Sequence, residues 1–242
     1  MMTTLSRKLI VEFIGAFFLM FTIGMAVATA GTLAPLAIGA SLMVMVFAGG
    51  HISGGHYNPA VSTAAFFRGA LSREEYPAYI VTQAIGAVCA GLLVSALGYA
   101  PAAAGAVAGA GKMLIVEFLF TFALCYVVLN VATAKDNENN SFYGLAIGFT
   151  VAVGAFAVGK VSGGAFNPAV ALGASVEGMF SWSNIWVYLL AEFVAGAVAA
   201  GVFLVTQPVQ QPEAQVHAAQ PEAGSGHRDL DGSPRSVSRV AS

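Results

Sequence analysis

Charge is scarce in this chain. Of 242 residues only 9% are Asp, Glu, Lys or Arg, whereas a soluble domain carries about a quarter. So little charge cannot cover a surface that meets water on every side, which excludes an ordinary soluble globular protein. The charges present nearly cancel, leaving a net −2 at pH 7, and no basic patch points to nucleic acid. Cysteine is scarcer still. Cys89 and Cys125 are the only two, each inside an apolar run. They offer no disulfide framework and no metal spacing, and read as small packing residues. Of four histidines, His51 and His56 lie close together, but without a Cys, His or carboxylate at helical ligand spacing. They read as loop packing, and no metal is expected. No nucleophile–base pair or phosphate loop appears either, so no enzyme and no cofactor is expected.

What the chain has instead is apolar sequence, 57% of it. A helix of about 20 apolar residues crosses a bilayer, and six runs qualify: 9–30, 33–50, 78–97, 113–134, 143–158 and 184–206. The first exceeds the roughly 7–15 apolar residues of a cleavable signal, and similar runs follow it, so it is expected to remain. The prediction is an all-α, multi-pass membrane protein. Six crossings put both termini on one side. Arg7, Lys8, Arg68, Arg73, Lys135, Arg228, Arg235 and Arg239 then share that side, against Lys112 and Lys160 opposite. That bias predicts cytoplasmic termini. Beyond residue 206 the composition turns to Pro, Gln, Ser and charge, which cannot bury enough apolar surface to fold. Residues 1–206 are therefore expected to form the membrane domain, and 207–242 a disordered cytoplasmic tail.

The membrane domain is duplicated. SGGHYNPAVS at 53–62 returns as SGGAFNPAVA at 162–171. Glu12-Phe13 returns as Glu117-Phe118, and Gln83 is matched by Glu192. The halves span about 7–100 and 111–206. Each contains three crossings, an odd number, so the second half enters from the opposite face and the repeats are inverted. Proteins built this way place their site at the repeat interface, near the midplane.

The repeated phrase has its own chemistry. Asn favours the helix N-cap and Pro the first helical position, so Asn58-Pro59-Ala60 and Asn167-Pro168-Ala169 read as helix starts. About ten residues follow each before polar or Gly-rich sequence returns, half a bilayer. Irregular Gly-rich backbone precedes each, and such backbone is tolerated at membrane depth only inside protein or along a water-filled cavity. Each phrase therefore predicts a re-entrant loop: an extended stretch, 54–57 or 163–166, followed by a short returning helix. The two N-termini, each worth roughly half a positive charge, meet at the centre and repel cations. The free carboxamides of Asn58 and Asn167 would donate to a passing oxygen, and the extended stretches would line the path with carbonyls.

These two motifs within an inverted six-span duplication resemble the aquaporin family, the major intrinsic proteins, over about residues 7–206. The resemblance rests on GHISGGHYNPAV, SGGAFNPAV and the paired span glutamates. It implies six transmembrane helices plus two half-helices, a homotetramer in the lipid bilayer with a pore in each subunit, and passive flow of water and small neutral solutes. It implies pore carbonyls at Gly54, Gly55, His56, Tyr57, Gly163, Gly164, Ala165 and Phe166. It also implies a constriction at Ile38, Ala155, Gly164 and Val170, where water-selective members usually carry Phe at the first position, His at the second and Arg at the last. Here the ring is apolar and uncharged. The NPAV motif is similar to the plant vacuolar branch, which as a group passes water with ammonia, urea or hydrogen peroxide. A glycerol-type facilitator, which typically reads NPARD, is the alternative. The plasma membrane is the expected location.

Three carboxylates lie at membrane depth, and intramembrane carboxylates are functional candidates by default. The resemblance implies that Glu12 and Glu117 accept hydrogen bonds from the re-entrant loops. Glu192 stands where many members carry Pro. A bond to Tyr188 and a subunit contact are both open to it, and as a coupling site it would make the protein a proton-driven carrier. A scaffold with an occluded pore is the remaining alternative.

Overall fold

The computed structural model describes residues 3–99 and 108–207. The expected tail from 208 onward lies outside them. Six helices are long and apolar enough to cross a membrane: α1 Thr4–Thr29, α2 Ala34–Ser53, α4 Glu75–Ala96, α5 Ala110–Thr133, α6 Tyr143–Ser162 and α8 Ile185–Thr206. Two short ones, α3 Pro59–Arg68 and α7 Pro168–Glu177, follow α2 and α6. A 20-residue helix is about 30 Å long and spans the hydrocarbon; one of ten residues covers half. No strand occurs among the described residues.

The local chemistry explains the breaks. Asn58 and Asn167 sit at the caps of α3 and α7 in extended backbone, with Pro at the first helical position of each. α2 and α6 end on left-handed Gly54 and Gly163, with φ of 92° and 94°. These two helices run past residues 50 and 158, where the apolar runs stop. Gly49 and Gly50, at the end of the second apolar run, lie within α2. A side chain at Gly49 would collide with Val11 and with the Tyr57 ring hydroxyl, so this glycine serves close packing rather than termination.

The packing repeats itself. α1 packs on α2 and α4; α5 packs on α6 and α8; α3 lies against α8 and α7 against α4, while α2 meets α6. Exchanging α1–α4 for α5–α8 maps this set of contacts onto itself. With three crossings per half, that exchange is an inverted two-fold, as the duplication predicts. Each half-helix leaves its own repeat to pack on the last span of the other, so neither half closes alone. Outward faces carry exposed Ile10, Ile14, Val81, Ile85, Ile115, Leu119, Phe149 and Phe156, the surface a bilayer requires.

The α2–α6 crossing is built on glycine. A Cβ at Gly39 would strike the Gly148 carbonyl and Ala152, and one at Gly148 would strike the Gly39 carbonyl and Met43. Backbones this close gain van der Waals contact that lipid cannot replace. We expect Gly148→Ala to lower stability by about 1–3 kcal/mol, the usual cost of overpacking. Gly201→Ala, whose Cβ meets nothing, should leave it unchanged. Thermal unfolding in detergent, followed by circular dichroism, checks both.

Candidate functional site

Each re-entrant loop is held by a carboxylate from the first helix of its repeat. Glu12, fully buried, accepts from Ser53 Oγ at 2.6 Å, the His56 amide at 3.0 Å, the Tyr57 amide at 2.7 Å and Gln83 Nε2 at 2.8 Å. Glu117, also fully buried, accepts from Ser162 Oγ, the Ala165 amide at 3.1 Å and the Phe166 amide at 2.8 Å. The Tyr79 and Tyr188 hydroxyls donate to the Ser53 and Ser162 carbonyls.

The loops are not the extended stretches the phrase predicts. Gly54, Gly55 and Tyr57 have φ of 92°, 62° and 50°; Gly163, Gly164 and Phe166 have 94°, 71° and 49°. Successive left-handed residues turn several amides toward one anion, a nest. A bulky residue at positive φ costs about 1–3 kcal/mol. The hydrogen bonds to the charged carboxylate, roughly 1.5–3 kcal/mol each, offset that strain. Extended backbone would have sent alternate amides away from the glutamate and left them unpaired in a dry interior.

The two caps meet at the centre and cross-link. Asn58 Oδ1 accepts from the Ala60 and Val61 amides at 2.8 and 3.4 Å, while its Nδ2 donates to the Phe166 carbonyl at 2.8 Å. Asn167 Oδ1 accepts from the Ala169 and Val170 amides at 3.0 and 3.4 Å, and its Nδ2 donates to the Tyr57 carbonyl at 2.9 Å. The carboxamides are therefore not free, as the sequence reading has them. Each spends one N–H on the opposite loop. A carboxamide carries two such hydrogens, so one remains for a molecule at the centre.

A narrow cavity of about 50 Å³ runs past these caps. At about 10–15 Å³ per water centre, it holds a short file. Asn58 and Asn167 line it together with Gly55, His56, Gly163, Gly164, Ala165 and Phe166. Gly54 and Tyr57 do not, and the Tyr57 carbonyl is engaged by Asn167. Pro59, Ala60, Pro168 and Ala169 are buried in helix starts behind the lining. His56 Nδ1 lies 3.1 Å from Ser62 Oγ, in loop packing, and His51 is exposed.

The opposite wall is apolar and follows the duplication. α1 contributes Leu19 and Ile23, α5 Leu124 and Val128, α2 Ile38 and Leu42, α6 Ile147 and Val151. Each pair is four residues apart, one helical turn, at equivalent positions of the two repeats. Of these eight residues the sequence reading names Ile38 alone; the recurrence of the pairs in both halves was the available signal for the rest.

Toward the side opposite the N-terminus, the cavity meets a wider bowl of about 800 Å³ that includes Thr32 and Lys160. Val27, Ile38, Ala155, Gly163, Met179 and Phe180 line both spaces and so form the neck between them. Of the four residues counted from the caps, Ile38 and Ala155 lie at this neck, and Gly164 and Val170 line the cavity alone. Met179 and Phe180 were missed. They follow Gly178, which ends α7 at a φ of 90°. The Phe180 ring stacks on Tyr188 with centroids 4.8 Å apart and fills the space above Gly163.

Glu192 takes neither of its expected places. The Tyr188 hydroxyl is spent on Ser162, and Glu192 is fully buried rather than at the surface.

The Major intrinsic protein family model matches residues 1–203. Glycerol uptake facilitator protein-like 6 of Lactiplantibacillus plantarum is 38% identical over 206 residues, covering 80% of this chain and 95% of that protein. Aquaporin NIP1-3 of Oryza sativa subsp. japonica is 40% identical over 207 residues, covering 80% and 71%. Probable aquaporin TIP1-2 of the same plant is 38% identical over 194 residues, covering 77% and 75%. The X-ray structure of the aquaglyceroporin from Plasmodium falciparum shares the fold, with a TM-score of 0.71 at 22% identity, over 82% of this chain and 95% of that one. With its six apolar spans, its inverted half-helices and a family match over most of its length, the chain belongs to the major intrinsic proteins, multi-pass membrane channels for water and small solutes rather than enzymes.

Proposed function

We propose that this channel passes water together with other small uncharged solutes, ammonia, urea and hydrogen peroxide among them, and excludes ions and protons at the paired asparagines. The observation that carries the solute range is the neck. Ile38, Ala155, Gly163, Met179 and Phe180 bring no charged side chain to it, and Val170 stands just inside, where an arginine would supply both donors and charge. A weakly hydrated solute then loses little on entering. Ion exclusion rests on the centre. Two helix N-termini face each other there, so a cation meets partial positive charge from both sides. A water bonded to the remaining N–H of Asn58 and of Asn167 has both oxygen lone pairs occupied and cannot accept a proton from its neighbour in the file.

Glycerol is the second reading. A relative of 38% identity carries a glycerol-facilitator name, and a ring lacking a wide aromatic–arginine pair leaves room for a larger solute. The NPAV motif, shared in type with the vacuolar branch, favours the first. We further propose a homotetramer in the plasma membrane with both termini cytoplasmic, supported by the side bias of the basic residues and the family resemblance.

Reconstituted in proteoliposomes, the protein should give fast water flow with low activation energy, independent of a pH gradient. Saturating flux that follows the proton gradient would instead mean a carrier. A panel of water, ammonia, urea, peroxide and glycerol ranks the solutes, and glycerol flux matching that of urea would favour the second reading. Val170→Arg should cut urea and peroxide passage by about tenfold or more, roughly 1.4 kcal/mol of added barrier, and water by less. Equal losses for every solute would remove Val170 from the selective wall.

A further inference from the structure

The two repeats brace their loops with different chemistry. In the first, Gln83 Nε2 donates to Glu12 at 2.8 Å and to Ser62 Oγ at 2.9 Å, a neutral amide against a carboxylate. In the second, Glu192 stands at the position of Gln83 and Ala171 at that of Ser62. Glu192 is fully buried. Its carboxyl faces that of Glu117, and neither of its oxygens has a hydrogen-bond partner. Two acids therefore meet where the first repeat has an acid and an amide.

Among the described residues nothing nearby offers a compensating cation. From α5, Glu192 faces Glu117 and the buried Cys125 thiol. Thr121, one helical turn from each, is fully buried with its own hydroxyl unpartnered. From the loop, the Asn167 amide faces Glu192 without closing a bond. Tyr188, one turn away on α8, is committed to the Ser162 carbonyl. The titratable side chain of α3, Arg68, is held at that helix's far end by Thr133 and Phe203. That of α7, Glu177, ends its helix beside Gly24. Two bare carboxylates side by side in such a place would both lose their hydration and would repel each other.

We propose that Glu192 carries a proton and donates it in a hydrogen bond to Glu117, making it a positioning residue for the second re-entrant loop. The carboxylic O–H does what the amide N–H of Gln83 does in the first repeat. It restrains Glu117, and Glu117 in turn restrains the Ala165 and Phe166 amides and so the Phe166 carbonyl that Asn58 binds. The second half of the pore is thus braced by a proton, and the first by an amide. Loss of that proton sets two charges against each other behind the loop and loosens it.

Infrared spectroscopy of the protein in proteoliposomes tests this without reference to the solute that passes. The wild type should show the carbonyl stretch of a protonated carboxyl. That band should lose a component in Glu192→Gln, and the same component should survive in Glu177→Gln, the other buried glutamate among the described residues whose oxygens are both unpartnered. Glu192→Gln should keep wild-type water passage, since its amide supplies the same bond, whereas Glu192→Ala should reduce it. Wild-type passage should fall reversibly at alkaline pH, and that of Glu192→Gln should not. A spectrum unchanged by Glu192→Gln, pH profiles that coincide, or a glutamine variant that fails to fold would each overturn the proposal. None of these results would touch the proposed passage of neutral solutes.

Discussion

A buried carboxylate gripping strained backbone is the interaction on which this structure depends. Glu12 and Glu117 each gather loop amides that have no helix or strand to pair with. At membrane depth an unpaired amide costs several kcal/mol, so the loop must either find an acceptor or not exist. Drawing the amides to one side also decides where the carbonyls go. They are left for the opposite loop and for the cavity, which is how a strained segment becomes the polar strip of an otherwise oily cavity.

That strip is held from both halves at once. The Asn58 carboxamide reaches the carbonyl of Phe166, and that of Asn167 reaches the carbonyl of Tyr57. The half-helices exchange partners in the same way, α3 lying on α8 and α7 on α4. Position at the centre is therefore fixed by covalently distant elements, each rigid by packing, and the remaining N–H of each asparagine is presented at a set place.

The two-fold is approximate in chemistry where it is close in geometry. Gln83 and Glu192 occupy equivalent places, as do Ser62 and Ala171 or Arg68 and Glu177. On the side opposite the N-terminus the cavity opens past Met179 and Phe180 into the bowl. The shared frame encloses the cavity, and the departures from symmetry give its neck and its second loop a chemistry of their own.

Several features were legible in the residues alone. Six apolar runs determine the spans because a bilayer admits hardly any other use of them. Asn-Pro-Ala determines a helix start, since a cap acceptor and a fixed φ are local properties. The matched phrases and the odd number of spans determine an inverted repeat. Other features were decided only when the chain closed. Gly54, Gly55 and Tyr57, and Gly163, Gly164 and Phe166, are left-handed rather than extended because the converging acceptors come from α1 and α5, more than forty positions away along the chain. The asparagine amides are bound because the other loop's carbonyl arrives beside them. Met179 and Phe180 enter the neck because Gly178 turns the chain back over Gly163, and Glu192 faces Glu117 because α8 packs on α5. Spans and caps follow from the free energy of a segment with its solvent and its nearest neighbours, which a sequence records. Pairing between distant polar groups depends on their relative position in space, which the packing of the helices alone sets.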